Sequence, residues 1–139
     1  MNQTITFQEQ FEDKVRAGRK RQTIRPDSTF RQKLEVGSIV HLRGWKGKPY
    51  RSKQEKLGEG IVVETFTIIW LGRLFIKDKT VDKYHNPKQL ETMDFYADLA
   101  RRDGFKNLNE MVAWFMLNHP KQKTMRVIRW KLCQQVLTE

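Results

Sequence analysis

The sequence predicts an α+β fold in which residues 1–139 form a single domain. Some segments alternate apolar and polar residues, as in a β-strand, and they are interspersed with segments whose apolar residues recur every three or four positions, as in a helix. The chain is 139 residues long, which is the usual size of one domain and too short for two. Hydrophobic residues make up 38% of it, which is enough to build a core.

The first half of the chain is predicted to begin with a strand, a helix and a second strand. The opening TITF is strand-like, and Phe7, Phe11 and Val15 then stand at the four-residue spacing of a buried helical stripe. Gly18 ends this helix, because glycine readily adopts the left-handed backbone that closes helices. The segment QTIR beyond it is extended again, so GRKRQTIRP, residues 18–26, is a helix-to-strand corner.

A long basic loop is predicted at residues 45–60, after a strand that ends at Gly44. The segment contains five cations and two interleaved aromatic residues, namely Lys46, Lys48, Arg51, Lys53, Lys56, Trp45 and Tyr50. Cations beside aromatic rings can bind phosphates and stack bases. The alternative interpretation is a solvated hairpin tip that binds nothing.

The second half continues with strands and helices and contains no internal repeat. Residues 61–77 are rich in β-forming residues, and two helices follow, separated by the sequence RDGF. The second helix is predicted to begin after Asn107, with Glu110 completing a capping box. Its inward residues are predicted to be Leu108, Met111, Val112, Phe115 and Met116. The segment TMRVIRWKLC then reads as a final strand.

The charge balance predicts an anionic partner. Lys and Arg number 27 against 16 Asp and Glu, which gives a formal net charge of +11 and a pI near 10.0. Such a field attracts nucleic-acid phosphates and accelerates encounter with them. Positive charge does not distinguish nucleic acid from an acidic protein, so a regulatory protein-interaction module remains a further alternative. A basic surface can also serve solubility alone.

Several kinds of site have no counterpart in the sequence. His41, His85 and His119 stand in different predicted elements without cysteine or carboxylate at metal-ligand spacing, so we expect no metal and no cofactor. Neither a phosphate-binding glycine loop nor a serine nucleophile elbow occurs. There is no secretory signal, no membrane-spanning stretch and only one cysteine, Cys133, and we therefore predict a cytoplasmic protein without a membrane partner.

The order of elements and the corner together resemble the activating signal cointegrator homology (ASCH) family, a branch of the PUA-like β-barrels. The specific feature is GRK followed by TIR within ITFQEQFEDKVRAGRKRQTIR. Three further segments agree with the family in their order and extend the likeness over most of the chain, namely LEVGSIVHL, ARRDGFKNLNEMVAWF and MRVIRWKL. The resemblance implies a mixed barrel of about five to six strands flanked by helices. It also implies binding of single-stranded RNA or a small nucleoside ligand in a basic cleft around the corner.

Some family members look like amidohydrolases that remove the acetyl group from N(4)-acetylcytidine, and a ribonuclease activity has also been proposed within the family. By this resemblance the catalytic lysine, threonine and acid fall on Lys20, Thr23 and Asp103. The family's acid is usually glutamate, so the aspartate here is shorter by one methylene. The segment 45–60 would be an insertion that covers the cleft or extends it for a longer ligand.

The chemistry of these residue types is compatible with that assignment. A threonine hydroxyl is a poor nucleophile unless a neighbour takes its proton, and a lysine can do so only when burial or nearby cations lower its pKa. Asp103 would protonate the leaving amine or orient the lysine. The structural alternative is a corner in which Lys20 and Arg25 form ion pairs while Thr23 bonds the backbone.

The candidate ligand-binding residues are the cations of the corner and the basic and aromatic residues of the loop. They are Arg19, Arg21, Arg25, Trp45, Lys48, Tyr50, Arg51 and Lys53. The cations of the corner would form a floor that binds an anionic ligand.

Overall fold

A computed structural model of the chain describes residues 2–46, 48, 52–70, 74–77, 84–85, 93–119 and 124–133. Its strands are β1 (Asn2–Thr6), β2 (Gln22–Pro26), β3 (Ile39–Trp45), β4 (Gln54–Trp70), β5 (Leu74–Lys77), β6 (Tyr84–His85) and β7 (Thr124–Leu132). Its helices are α1 (Glu9–Arg16), α2 (Thr29–Gln32), α3 (Met93–Arg102) and α4 (Leu108–Asn118).

The strands of these residues form one mixed sheet of seven strands. Its order is β1-β3-β4-β5-β6, and β7 pairs with both β2 and β4. Strand β1 runs parallel to β3, with Ile5 opposite Leu42, whereas β3, β4, β5 and β6 are joined by antiparallel pairings. The parallel pair needs a long crossover, and the connection from β1 to β3 includes α1. The predicted α+β class with a mixed sheet and helices is confirmed.

The chain divides into two compact units. The first consists of residues Met1–Arg21, Lys33–Thr65 and Arg129–Glu139, and the second of Gln22–Gln32 and Phe66–Ile128. The assignment of residues 1–139 to a single domain stays a prediction.

The first unit has an apolar core to which β1, α1, β3, β4, β7 and the segments next to them contribute. Its buried hydrophobic residues include Ile5, Phe7, Val15, Leu34, Val40, Leu42, Leu57, Val62, Trp130 and Leu132. The rings of Phe7 and Trp130 lie 5.9 Å apart at an interplanar angle of 58°. Along β3 the side chains alternate between buried and half-buried, as in a strand with one face on a core.

Helix α1 ends at Arg16, and Gly18 closes it, as predicted. Gly18 has a φ of 76°, in the left-handed region. The backbone N–H groups of Arg19 and Lys20 then both donate to the carbonyl of Lys14, at 2.8 and 3.0 Å. These bonds satisfy a carbonyl in the last turn of the helix and turn the chain into the corner.

The second unit has a separate core between its strands and α3 and α4. Its buried cluster comprises Ile24, Phe66, Ile68, Tyr96, Leu99, Ala100, Met111, Phe115, Met125 and Val127. Phe105, Leu108 and Trp114 pack against this cluster while partly exposed. The β2 residue Ile24 therefore anchors the strand of the corner in this core.

Helix α4 begins as the sequence predicts and differs in one inward residue. The side chain of Asn107 accepts a hydrogen bond from the backbone N–H of Glu110 at 2.8 Å, which confirms the predicted N-cap. Met116, predicted to face inward, is instead 68% exposed. It lies about 100° around the helix from Phe115, and Phe115 and Met111 are the residues that enter the core.

The predicted loop at residues 45–60 is largely strand, so that prediction was wrong in its extent. Strand β3 continues to Trp45, which lies opposite Gln54, the first residue of β4. The beginning of β4 is hard to recognise in the sequence because the outward positions of this strand carry polar residues such as Lys56, while Leu57 is buried. The connection between the two strands is accordingly shorter than the sequence suggested.

Tyr96 in the second core gives this unit a pH-dependent stability. Burial raises the pKa of Tyr96 to about 12, from an ordinary value of about 10. The unfolded chain releases this proton more readily, so the stabilisation is complete below about pH 10 and is lost as the pH rises to about 12. We expect a loss on the order of 2 kcal/mol over that range.

The measurement is urea-induced unfolding of the wild type and of Tyr96→Phe, compared at about pH 9 and about pH 11.5. Other groups, including the lysines, titrate in both proteins, so the difference between the two isolates the tyrosine. Equal losses of stability in the two proteins would contradict the prediction.

Candidate functional site

Lys20 is an inward-facing cation of the first unit. It is only 3% exposed, which is rare for a lysine. Its Nζ lies 4.9 Å from the centroid of the Phe11 ring, a cation–π distance. The turn that follows Gly18 brings this side chain inside.

Arg19 and Arg21 flank Lys20 and are both exposed. The Nε of Arg21 donates to the carbonyl of Gly18 at 2.6 Å. This bond holds the guanidinium group at the corner and reduces the side-chain entropy that a ligand contact would cost. The first unit therefore presents two cations outward on either side of one that is buried.

Thr23 is a buried residue of β2 in the second unit, with 4% exposure. Its Oγ1 accepts a hydrogen bond from the Nε of Arg25 at 2.9 Å. The two residues are two apart on one strand, so their side chains share a face. This bond comes from a cationic side chain, which favours negative charge on the oxygen.

Asp103 lies immediately after α3 and is 7% exposed. Gly104 follows with a φ of 100° and closes the helix. The backbone N–H of Phe105 donates to the carbonyl of Ala100 at 2.9 Å. The predicted position of Asp103 at a helix end beside a glycine is confirmed.

Gln22 is the residue of this region that sequence analysis missed. It is 1% exposed, and its Nε2 donates to the carbonyl of Leu99 at 2.9 Å and to Oδ1 of Asp103 at 3.3 Å. The sequence offered one signal for it, an amide within a strand beside the predicted threonine. Strand alternation places Gln22 on the face of β2 opposite Thr23.

The predicted residues of the basic loop are only partly described. Trp45 is half-buried, and Lys48 and Lys53 are exposed. Tyr50 and Arg51 lie outside the described residues. The assignment of these side chains to ligand binding stays a prediction.

Two contacts of the second unit therefore involve predicted site residues, Gln22 with Asp103 and Thr23 with Arg25. Lys20 belongs to the first unit, and Thr23 and Asp103 belong to the second. The joint catalytic assignment of Lys20, Thr23 and Asp103 stays a prediction.

The described part of the chain lacks two features. No group of three or more His, Cys, Asp or Glu side chains there is arranged to hold a metal ion. Among the same residues, no helix has both the length and the apolar character needed to cross a membrane.

Comparison with known proteins gives a likeness of fold. The crystal structure of hypothetical protein PH0355 matches with a TM-score of 0.56, over 95% of this chain and 99% of that one, at 14% sequence identity. At this identity the likeness concerns the fold alone. No protein-family profile and no curated protein matches the sequence.

Proposed function

We propose that this chain binds a nucleoside, or the nucleotides of a single-stranded RNA, at the corner formed by residues 18–25. The observation that carries the proposal is the arrangement of cations in the first unit, where exposed Arg19 and Arg21 flank buried Lys20. Exposed guanidinium groups bind phosphate oxygens and stack on bases. The net charge of +11 attracts an anionic ligand to any such site.

The GRK and TIR segments of the corner support the finer assignment to the ASCH branch of the PUA-like proteins. The mixed sheet with helices and the fold shared with PH0355 are compatible with that assignment. The reducing cytoplasm is the compartment we propose, since the chain has one cysteine and cannot form an internal disulfide.

Fluorescence anisotropy with a short single-stranded RNA tests the binding proposal between about 50 and 200 mM salt. We expect weak binding, in the micromolar range or above, that falls steeply with salt because Lys and Arg displace counterions from phosphates. Replacing Arg19 and Arg21 with Gln should reduce the slope of log affinity against log salt by about 1.4, the value for two lost phosphate contacts on a single strand.

The matched control replaces two exposed lysines elsewhere, Lys33 and Lys106, with Gln. It removes the same charge from the surface and should leave the slope nearly unchanged. Equal effects of the two double variants would assign binding to the general field and not to the corner. Absence of binding at low salt would overturn the proposal of RNA binding.

A second candidate function, hydrolysis of N(4)-acetylcytidine, is favoured by one further observation. Lys20, Thr23 and Asp103 are 3%, 4% and 7% exposed, and strong burial of titratable groups is frequent at functional sites. A recognition surface for RNA phosphates needs its cations exposed, whereas acid–base chemistry is assisted by groups shielded from water.

In this candidate reaction Thr23 Oγ1 attacks the acetyl carbonyl carbon, and Lys20 accepts the hydroxyl proton. The bond from Arg25 stabilises the negative charge that develops on Oγ1. Asp103 donates a proton to N4 as the carbon–nitrogen bond breaks, so that cytidine leaves and an acetyl ester remains on Thr23. Water then attacks the ester and gives a proton to Asp103, while Lys20 returns its proton to Thr23 Oγ1 as acetate forms, so the hydroxyl and both catalytic groups are regenerated.

A further inference from the structure

The outward face of the β3–β4 hairpin, in the first unit, carries two cations directly opposite each other. Arg43 of β3 is the register partner of Lys56 of β4, and like charges in such a cross-strand pair destabilise a sheet. A β-bulge creates the pair, since Leu42 lies opposite Gly58 and the next residue, Arg43, lies opposite Lys56. Leu57 is the additional residue of the bulge, and it is buried in the core. The geometry of the sheet therefore brings two cations together where an apolar residue would otherwise face Arg43.

The neighbouring side chains neutralise this pair only in part. Oε1 of Glu59 lies 3.5 Å from Nζ of Lys56 and 3.4 Å from Nδ1 of His41. The side chains of Lys56 and Glu59 are 60% and 39% exposed, and ion pairs this exposed contribute little. Arg43 makes no ion pair with the residues that the structure describes. An anion placed between Arg43 and Lys56 would remove their repulsion and accept bonds from the guanidinium group.

Trp45 lies beside the cation pair on the same face. It follows Arg43 by two residues along β3, so the two side chains point the same way and are about 7 Å apart along the strand. Trp45 is half-buried and lies opposite the exposed Gln54. A nucleotide of a single strand is bound by this combination, a cation for its phosphate and an aromatic ring on which its base stacks.

The end of the same hairpin carries a second pair of opposed cations. The backbone N–H of Lys46 donates to the carbonyl of Lys53 at 3.0 Å, and both side chains are exposed. Positive charge thus continues along the hairpin beyond Arg43 and Lys56. A polymer with a charge on every unit matches this succession of cations. Among polyanions, a single-stranded nucleic acid also supplies the unpaired bases that Trp45 can stack.

We propose that the outward face of the β3–β4 hairpin is a second contact surface for single-stranded RNA, separate from residues 18–25. A phosphate lies between Arg43 and Lys56, and the adjoining base stacks on Trp45. The proposal rests on the RNA-binding function put forward above for the class of its ligand. It also selects a strand over a free nucleoside, because a nucleoside has no phosphate for the cation pair to bind.

The first test replaces both Arg43 and Lys56 with Gln and measures anisotropy of a labelled oligouridylate between about 50 and 200 mM salt. We expect the slope of log affinity against log salt to fall by about 0.7, the value for one phosphate contact on a single strand. The matched control is the double replacement of Lys33 and Lys106 with Gln, which should leave the slope nearly unchanged. Thermal stability of the test variant should be equal to that of the wild type or higher, because a like-charge pair has been removed.

The second test separates the stacking contact from the phosphate contact. Trp45→Leu should weaken oligouridylate binding by about 5- to 150-fold, the range for one lost stacking contact, and leave the salt slope unchanged. Inorganic polyphosphate has phosphates but no bases, so its affinity should be the same for Trp45→Leu and the wild type. Trp45→Phe retains a ring and should keep most of the RNA affinity, which guards against a loss caused by local unfolding.

The third test predicts a gain, which damage to the fold does not produce. Glu59→Gln removes the carboxylate that contacts Lys56 and should strengthen RNA binding by about two- to fivefold. The control, Glu35→Gln, removes the same charge from an exposed position of the first unit and should produce a smaller gain.

The possible failures are distinguishable. If the double variant of Arg43 and Lys56 matches its lysine control, the second surface is overturned while binding at residues 18–25 stands. Equal weakening of RNA and polyphosphate binding by Trp45→Leu would overturn the stacking contact. Absence of RNA binding by the wild type at low salt would overturn the RNA-binding function first, and the second surface would fall with it.

Discussion

Replacement of Thr23 by valine is expected to abolish acetate release from N(4)-acetylcytidine, by roughly 1,000-fold or more, if the chain is an amidohydrolase. Valine has nearly the shape of threonine, so the 4%-exposed site remains filled while the attacking oxygen is lost. The change also removes the acceptor of the Arg25 bond, which we expect to cost about 1 kcal/mol of stability, the net worth of one hydrogen bond. Thermal unfolding must therefore accompany the assay.

The conservative control is Thr23→Ser, which keeps the hydroxyl group and the acceptor for Arg25. It should retain measurable turnover, whereas Lys20→Met should lose about 100- to 10,000-fold as expected for a missing general base. Chromatography of the free nucleoside, with acetate measured in parallel, provides the readout. If Thr23→Val keeps a substantial fraction of the wild-type rate, the threonine is not the nucleophile.

If the chain binds its ligand without hydrolysing it, we expect Thr23→Val to have a much smaller effect. The hydroxyl would then be one contact among several, and its loss would weaken affinity by about 0.5–1.5 kcal/mol, the worth of one neutral hydrogen bond. Anisotropy with RNA and turnover of the nucleoside, measured on the same preparations, therefore separate a binder from an enzyme. Shortening of the RNA during the binding measurement would instead reveal a ribonuclease.

Replacement of Gly60 by alanine is expected to destabilise the first unit by about 1–3 kcal/mol through overpacking. A Cβ at this position would lie 2.7 Å from Cδ1 and 2.9 Å from Cγ of Trp130. The indole is 1% exposed and packs on Phe7, so it cannot move aside freely. The clash is with a rigid ring and not with the end of a flexible chain.

Urea-induced unfolding of Gly60→Ala, Trp130→Leu and the double variant measures this clash directly. Leucine is smaller and can rotate away, so the alanine should cost at least about 1 kcal/mol less in the Trp130→Leu background. Additive losses would mean that the ring is not what excludes a side chain at Gly60.

The sequence by itself determined those features that depend on local chemistry. The left-handed Gly18 ends α1 and the Asn107 side chain caps α4, because each requires only nearby backbone groups. Burial of Val15 likewise follows from the four-residue spacing of apolar residues in a helix. The same local logic placed Asp103 at a helix end.

Tertiary structure alone decided the features that depend on partners distant in the sequence. Residues 54–60 are strand because they pair with β3, and their charged outward side chains hid the pattern. An apolar helix can turn any of several faces toward a core. Met116 is exposed because Met111 and Phe115 are the residues that enter the core here.

The candidate site shows the same division. Corner residues such as Thr23 could be chosen from the motif, but the contact between Gln22 and Asp103 could not, because it joins residues 81 positions apart. The sequence around Gln22 does not determine which carboxylate its amide contacts, because any buried acceptor within reach would satisfy the amide. Only the packing of β2 against the end of α3 determines which acceptor that is.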